Sequence, residues 1–306
     1  GIPTELIDFA TIGTTAAQLK TYIQNRYNAD TSIAYVQLVG DAAQIPTIMY
    51  DSSGGSDPSF ALVAGSDNYP DIFIGRFSAE TTNDVTTQVN KVITYERDLT
   101  TSASWLKQAT GIADQATTAG DDSETDIAHM NNLRTLLLNY GYTTVDQIYE
   151  PSATAAQVTS SINAGRGFIN YVGHGSETYW VTTGFSNTEI AALTNAEKMP
   201  FIMDVACVNG NFVNYTCFAE AWMRKSGGGA IGIYASSINQ SWSPPMEAQD
   251  EVTDLLTAEA KTTLGGLYYN GSCSMIDSYG TEGVNMYKTW HIFGDASLVA
   301  RTKTPI

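Results

Sequence analysis

The chain has 306 residues and 43% of them are hydrophobic, enough for a large packed core and too apolar for a disordered segment. Its net charge is −17 with only 15 Lys and Arg, which argues against nucleic acid or an anionic membrane as a partner and favours cationic substrates or Ca²⁺. No run of about 20 apolar residues is present, so no membrane-spanning helix is expected, and three cysteines (Cys207, Cys217 and Cys273) do not make a disulfide framework.

In chain order, residues 32–40 read as a buried strand ending at Gly40-Asp41. A loop rich in Gly, Ser and Asp follows over 51–57, then a second strand over 71–77. Over 82–99 the apolar positions Val85, Val89, Val92, Ile93 and Tyr95 predict an amphipathic helix. The Thr/Ser cluster over 100–104 is a natural boundary, so the chain is expected to divide into residues 1–101 and residues 102–306. The second part predicts strands over 109–113, 145–149, 167–172, 200–207 and 230–235. Helices are predicted over 125–140, 153–164, 187–195, 218–225 and 246–261. Strand alternating with helix implies an α/β fold: an open, mostly parallel sheet flanked by helices on both faces.

Two strand ends carry chemistry. Asn170-Tyr171-Val172-Gly173 runs into His174-Gly175-Ser176-Glu177, and Phe201-Ile202-Met203-Asp204-Val205-Ala206 runs into Cys207-Val208-Asn209-Gly210. The carboxyl ends of neighbouring parallel strands form the active crevice of such sheets. A thiol and an imidazole brought to one edge can act as nucleophile and base. The bland alternatives are a buried histidine and a cysteine serving as a small hydrophobe. Glycine on both sides of His174, and the turn sequence after Cys207, favour exposure. Cys217 precedes a helix and reads as structural; Cys273 has no basic neighbour and no assigned role. The spacing contains no CxxC, HxxxH or HExxH, so zinc is set aside.

The segments Tyr171–Thr178 and Asp204–Gly210 resemble the catalytic signatures of the gingipain family of cysteine endopeptidases. So do Cys217-Phe218-Ala219-Glu220-Ala221, Ser237-Ile238-Asn239-Gln240-Ser241-Trp242, Gln249-Asp250-Glu251 and Phe293-Gly294-Asp295. Upstream, Leu38-Val39-Gly40-Asp41 and Phe73-Ile74-Gly75-Arg76-Phe77-Ser78 are similar as well. The resemblance implies a caspase-like fold in two subdomains, with an immunoglobulin-like domain following it that this chain does not include. It also implies that Cys207 is the nucleophile, His174 the general base, and the N–H groups of Gly175 and Cys207 the oxyanion hole. The resemblance implies an orienting carboxylate just after the strand at Gly111-Ile112-Ala113; the local spacing is shifted, and Asp114 is the candidate for it, with a surface Asp at a turn as its plain alternative.

For the substrate, the resemblance places Asp126 at the base of the primary specificity pocket, with Val172, Val205, Trp242 and Met246 on the walls and Gln240 near the rim. A carboxylate there would pair with a guanidinium; a helix N-terminal acid favoured by the dipole is the alternative. Val172 departs from the family's Thr, which removes a hydroxyl from the pocket, so cleavage after Arg with Lys weaker is expected. Asp67 and Asp71, with the carbonyls of Ala64 and Tyr69 and the carboxylate of Asp41, resemble a calcium site of the family. Asp122 and Glu124 in the acidic run 120–124 form a second candidate. Peptide or protein substrates with basic residues are the implied partners, and the composition resembles that of secreted or cell-surface bacterial proteins. Gly1-Ile2-Pro3-Thr4 reads as a processed start. A domain of this family that has lost chemistry and persists as a binding or adhesin module is the rival reading.

Overall fold

The computed structural model describes residues 1–100, 102–116 and 119–303; Thr101, the last residue of the expected first lobe, lies outside the described residues. Helix α1 (Ala16–Ala29) opens on a capping box between Thr15 and Gln18. Strands β1 (Tyr35–Val39) and β2 (Phe73–Phe77) follow, then α2 (Thr82–Ile93), capped by Thr81 and Asp84. The regular alternation comes next: β3 (Gln108–Ala113), α3 (Asp126–Tyr140), β4 (Thr144–Tyr149), α4 (Ala155–Ala164) and β5 (Phe168–Val172). Three short strands, β6 (Gly175–Ser176), β7 (Tyr179–Trp180) and β8 (Phe185–Ser186), make a small separate sheet. The chain continues through α5 (Asn187–Ala192), β9 (Phe201–Val205), α6 (Phe218–Arg224) and β10 (Gly232–Ser236). It ends with α7 (Ser243–Thr257), α8 (Leu264–Tyr279), α9 (Thr281–Tyr287) and β11 (Trp290–Gly294).

The main sheet has eight strands in the order β1-β2-β11-β10-β9-β5-β3-β4. Every neighbouring pair is parallel except β10 and β11. That one antiparallel step splits the sheet into two blocks of opposite direction. The carboxyl ends of β3, β5, β9 and β10 therefore share an edge with the amino ends of β1, β2 and β11. Strands β3, β5 and β9 are buried on both faces and read as near-continuous apolar runs, as parallel strands do. One hydrophobic cluster packs α1, α3, α7 and α8 against one face; the other packs α4, α5 and α6 against the opposite face.

Two predicted boundaries move for clear reasons. The strand expected over 200–207 stops at Val205, because the Ala206 N–H turns back to the Asp204 carbonyl at 2.8 Å, so the chain leaves the sheet just before the thiol. Helix α7 begins at Ser243 rather than at 246, with Pro244 and Pro245 in a first turn whose N–H groups have no helical partner to lose. Helices α1, α8 and α9, strand β11 and the small sheet fall outside the predicted elements.

The second core holds one polar chain of contacts. Asp204 on β9 is fully buried, and the Trp180 indole N–H donates to its Oδ1 at 2.7 Å. Trp180 stacks on Tyr171, ring centres 4.7 Å apart, and the Tyr171 hydroxyl donates to the His174 carbonyl at 2.6 Å. Burial, only partly opposed by the indole, pushes the Asp204 carboxyl up to about 8. The native state thus keeps a proton that the unfolded chain releases near pH 4, and this group's cost is absent below that pH and grows as pH rises toward 8. An Asp204→Asn variant keeps the oxygen for Trp180 and has no proton to lose. Its denaturation midpoint is expected to equal or trail wild type near pH 4 and to overtake it progressively up to pH 8. Parallel midpoint curves across that range would remove Asp204 as the titrating group.

Candidate active site

The pairing of three parallel strands sets the site. Ala113 on β3 pairs with Val172 on β5, and Val172 pairs with Val205 on β9. The Asp114 N–H continues the ladder to the Val172 carbonyl at 3.1 Å, and the Gly173 N–H to the Val205 carbonyl at 3.1 Å. Asp114, His174 and Cys207 therefore emerge side by side at one edge, at the place where the strand order turns from β4 back to β5. Asp114 is buried there and His174 is exposed.

The thiol of Cys207 is half-buried and shares a narrow cleft with Val172, Gly173, Val205, Ala206, Gln240, Ser241 and Trp242. The backbone N–H of Gln240 donates to its Sγ at 3.3 Å. Gln240 lines the cleft, and its side chain is tied to the sheet: its Oε1 accepts from the Trp290 indole at 2.5 Å, and its amide reaches Ser236, so β10 and β11 hold the backbone donor in place. Burial raises the Cys207 thiol above its ordinary value, partly offset by that N–H, so the proton needs a base to take it. Cys217 is fully buried at the start of α6 with its thiol pushed well up by burial. Cys273 on α8 is pushed up to about 11, also by burial. Of the three, Cys207 is the one in the cleft.

Backbone geometry around the thiol is tight. A Cβ at Gly175 would stand 2.3 Å from the Cys207 carbonyl oxygen, so only glycine lets these two loops meet. His174 accepts at its carbonyl from Val181 one step outside the Gly175–Trp180 pair, which leaves the Gly175 N–H unpaired in the small sheet. Among the described residues the Cys207 N–H has no backbone acceptor. Val208, directly after the thiol, is a β-branched residue at φ 50°, held by its N–H to the Ile238 carbonyl at 3.1 Å. Such strain persists only where the surroundings enforce it.

Asp126 is the first residue of α3, placed there by Thr125, whose hydroxyl accepts the Ala128 N–H. It is fully buried, which a simple dipole-favoured surface acid would not be. Its Oδ1 accepts from the Trp242 indole at 2.8 Å and its Oδ2 has no partner among the described residues. Burial, with Asp114 nearby, pushes its carboxyl up to about 6 against the opposing pull of Trp242 and His174. Val172 and Val205 line the cleft as expected. Met246 lies beneath the loop at Gly120, where a Cβ would come 2.2 Å from its Sδ. Trp242 also meets the His174 ring edge-on at 5.0 Å. With the indole drawn onto Asp126, the free space of the cleft is only about 10 Å³.

The acidic loops separate into three places. Asp71 Oδ2 accepts from Val63 and Ala64 at 2.8 and 2.7 Å, and Asp67 Oδ1 from Tyr69 at 3.0 Å, so this loop is a compact turn. Asp41 does not join it. It follows the carboxyl end of β1, whereas the loop precedes the amino end of the parallel strand β2, so the two lie at opposite edges of the sheet. Asp41 instead faces Arg224 at 3.5 Å. Asp122 and Glu124 meet Asp121, and also Glu247 and Asp250 from α7, which sequence reasoning missed. Their spacing of three residues on one helix face was the available signal. Burial and the neighbouring Asp121, Glu124, Glu247 and Asp122 push Asp250 up to about 8. Asp121 Oδ2 is buried without a partner among the described residues, and the unpartnered Nδ1 of fully buried His129 faces Glu124 and Asp250 at 3.6 and 3.5 Å. The last turns of α8 touch both loops: Tyr69 bonds Asp277, and Tyr279 bonds Asp121.

Residues 1–301 match the model of peptidase family C25. Gingipain R2 of Porphyromonas gingivalis (strain ATCC BAA-308 / W83) is 42% identical over 302 residues, 95% of this chain and 41% of its own length. A Lys-gingipain of the same species (strain ATCC 33277) is 30% identical over 246 residues, 77% of this chain and 14% of its own length. The chain thus spans less than half of the curated relatives it matches. The solved complex of the pro- and mature domains of Porphyromonas gingivalis RgpB superposes with a TM-score of 0.96 at 40% identity, over 100% of this chain and 75% of that one. The crystal structure of the Arg-specific cysteine proteinase gingipain R (RgpB) gives 0.94 at 40% identity, over 97% and 72%. The chain belongs to peptidase family C25, the cysteine endopeptidases of the gingipain type.

Proposed function

We propose that the chain cleaves peptide bonds after arginine through Cys207 and His174. The observation that carries this reading is one cleft that joins the Cys207 thiol, through Trp242, to the buried carboxyl of Asp126. Likeness to gingipain R, an Arg-specific cysteine proteinase, supports the same preference here.

In the forward step His174 takes the thiol proton as sulfur attacks the scissile carbonyl carbon. The oxygen becomes negative and receives the N–H groups of Gly175 and Cys207, aimed where charge develops. Collapse breaks the C–N bond, and the departing amine leaves with the proton from His174. Water then attacks the thioester, His174 again accepting its proton, and the acid product and the thiol are released. Asp114, fixed to the Val172 carbonyl through its own N–H, is the group beside the His174 loop that would hold the ring in one tautomer. A substrate guanidinium would replace the Trp242 indole on Asp126 and bring its carboxyl back to the charged form. Val172 offers no hydroxyl to a shorter ammonium, which sets Lys below Arg.

Calcium belongs to the same proposal. Among the described residues no three acidic side chains stand close enough together to hold an ion as they are, so Asp121, Asp122, Glu124, Glu247 and Asp250 would have to draw in around one; the buried Asp121 oxygen without a partner and the Asp250 carboxyl raised to about 8 mark the uncompensated negative charge that would favour it. Asp67 and Asp71, with the carbonyls of Ala64 and Tyr69, are a second set. A bound ion would neutralise these carboxylates and tie the loop before α3 to α7, next to Asp126. Secretion or display at a bacterial surface suits the acidic, lysine-poor composition.

Fluorogenic peptides with Arg, Lys or a neutral residue before the bond test the specificity. Arg is expected to lead, with Asp126→Asn lowering kcat/KM for Arg by roughly a hundredfold. Equal turnover of all three would dismiss the pocket. Cys207→Ala should leave no turnover, and retained activity would rule out this thiol as the nucleophile. In a thermal melt, Ca²⁺ is expected to raise the midpoint by about 5 °C over chelator. Glu247→Gln with Asp250→Asn should remove most of that shift, and identical melts with and without chelator would discard the ion.

A further inference from the structure

A second cleft opens beside the first. It encloses about 440 Å³, the size of a small-ligand site, and its walls include Asp51, Glu177, Val208, Asn211, Asn214 and Ile238. Three chain segments pass from one cleft to the other. Gly173 lines the first and Glu177 the second; Cys207 the first and Val208 the second; Gln240 the first and Asn239 the second. The thiol therefore stands on the divide between them. The two sets of walls share no residue.

We infer that this second cleft receives a cationic side chain from the part of the substrate that follows the scissile bond. The inference rests on the reading of Cys207 as nucleophile and Asp126 as the arginine partner. With the arginine side chain anchored toward Asp126 and its carbonyl over Sγ, the residues beyond the bond run away from the first cleft, across Val208, into the second. The lining decides the chemistry. Among the described residues it contains two carboxylates, three asparagine amides and no Lys or Arg. Asp51 uses Oδ1 for the N–H groups of Ser53 and Gly54 at 2.6 and 3.2 Å, which leaves Oδ2 available. Glu177 uses Oε2 for the Ser176 hydroxyl at 3.1 Å and keeps Oε1.

The cleft is built rather than incidental. The Asn214 amide donates to the Ser53 carbonyl at 3.2 Å and to Asn211 Oδ1 at 3.3 Å. The Ser237 hydroxyl donates to the Gly55 carbonyl at 2.7 Å, which fastens the loop carrying Asp51 to the end of β10. The strained backbone at Val208 forms the step between thiol and cleft. A basic side chain here would meet two carboxylates in a half-enclosed, polar space; an acidic one would meet like charge.

Internally quenched peptides with Arg before the bond test this, with Lys, Ala or Glu placed at the first two positions after it. Wild-type kcat/KM is expected to fall in the order Lys, Ala, Glu, with a Lys-to-Glu ratio of about tenfold for partly exposed pairs. The double variant Asp51→Asn with Glu177→Gln should compress that ratio to within about twofold. The ratio is internal to each protein, so a general loss of activity or folded fraction does not mimic it. A flat wild-type ratio, an unchanged ratio in the double variant, or discrimination that appears only when the same residues precede the Arg would overturn the inference. Wild-type hydrolysis of a small Arg amide with no residue after the bond separates the two readings. Turnover there with a flat ratio sinks the second cleft alone, whereas no turnover on any Arg substrate sinks both.

Discussion

Register between three parallel strands is the constraint on which the site rests. Ala113, Val172 and Val205 lie in one row across β3, β5 and β9. A slip of one residue in either pairing would send the following side chain to the other face of the sheet. Asp114, His174 and Cys207 then could not share an edge. Apolar side chains on both faces enforce the row, because no face of these strands tolerates solvent. Beneath the edge, Trp180 and Tyr171 extend that enforcement into the His174 loop through one hydroxyl and one stacked pair.

Three aspartates, two buried and one half-buried, show how one acidic chain gives a single residue type different environments. Asp204 has an indole donor, no solvent and no cation, and burial leaves it a neutral acid over most of the physiological range. Asp126 has the same kind of donor, from an indole that itself lines the cleft, and its carboxyl rises less. Asp250 rises chiefly through burial and then through its carboxylate neighbours, so its state depends on what neutralises the group. Environment, not residue identity, separates a structural acid from the acid proposed for recognition and the one proposed to face an ion.

Much of this is legible in the order of residues. The apolar runs into His174 and Cys207 mark strands of a buried parallel sheet, and the loop residues after them are those that reach the edge. What stays hidden depends on distant pairing. Strand β11 is five residues long, includes a histidine, and is paired with β2 more than two hundred positions away. Its antiparallel step reverses β1 and β2, and the parallel pairing of those two puts Asp41 at the edge opposite the Asp67–Asp71 loop. Glu247 and Asp250 reach Asp121 only because α7 packs beside α3. The Gln240 side chain, expected at a rim, is bound by Trp290, and it is the backbone N–H that meets the sulfur.

Trp242 links the two proposed tasks of this edge, recognition and chemistry. Its indole nitrogen bonds the Asp126 carboxyl, and its ring edge packs on His174. A guanidinium cannot take Asp126 without moving the indole, since the remaining free space is about the size of one water. The same movement changes the packing of the imidazole proposed to take the thiol proton. Filling the first cleft therefore acts on the ring through a single side chain, and a side chain that leaves Asp126 uncompensated leaves the indole where it is. If, as proposed, Asp126 takes arginine and His174 is the base, selection for arginine operates on the placement of the base as well as on binding, which is how remote binding contacts come to be expressed in the rate of the chemical step.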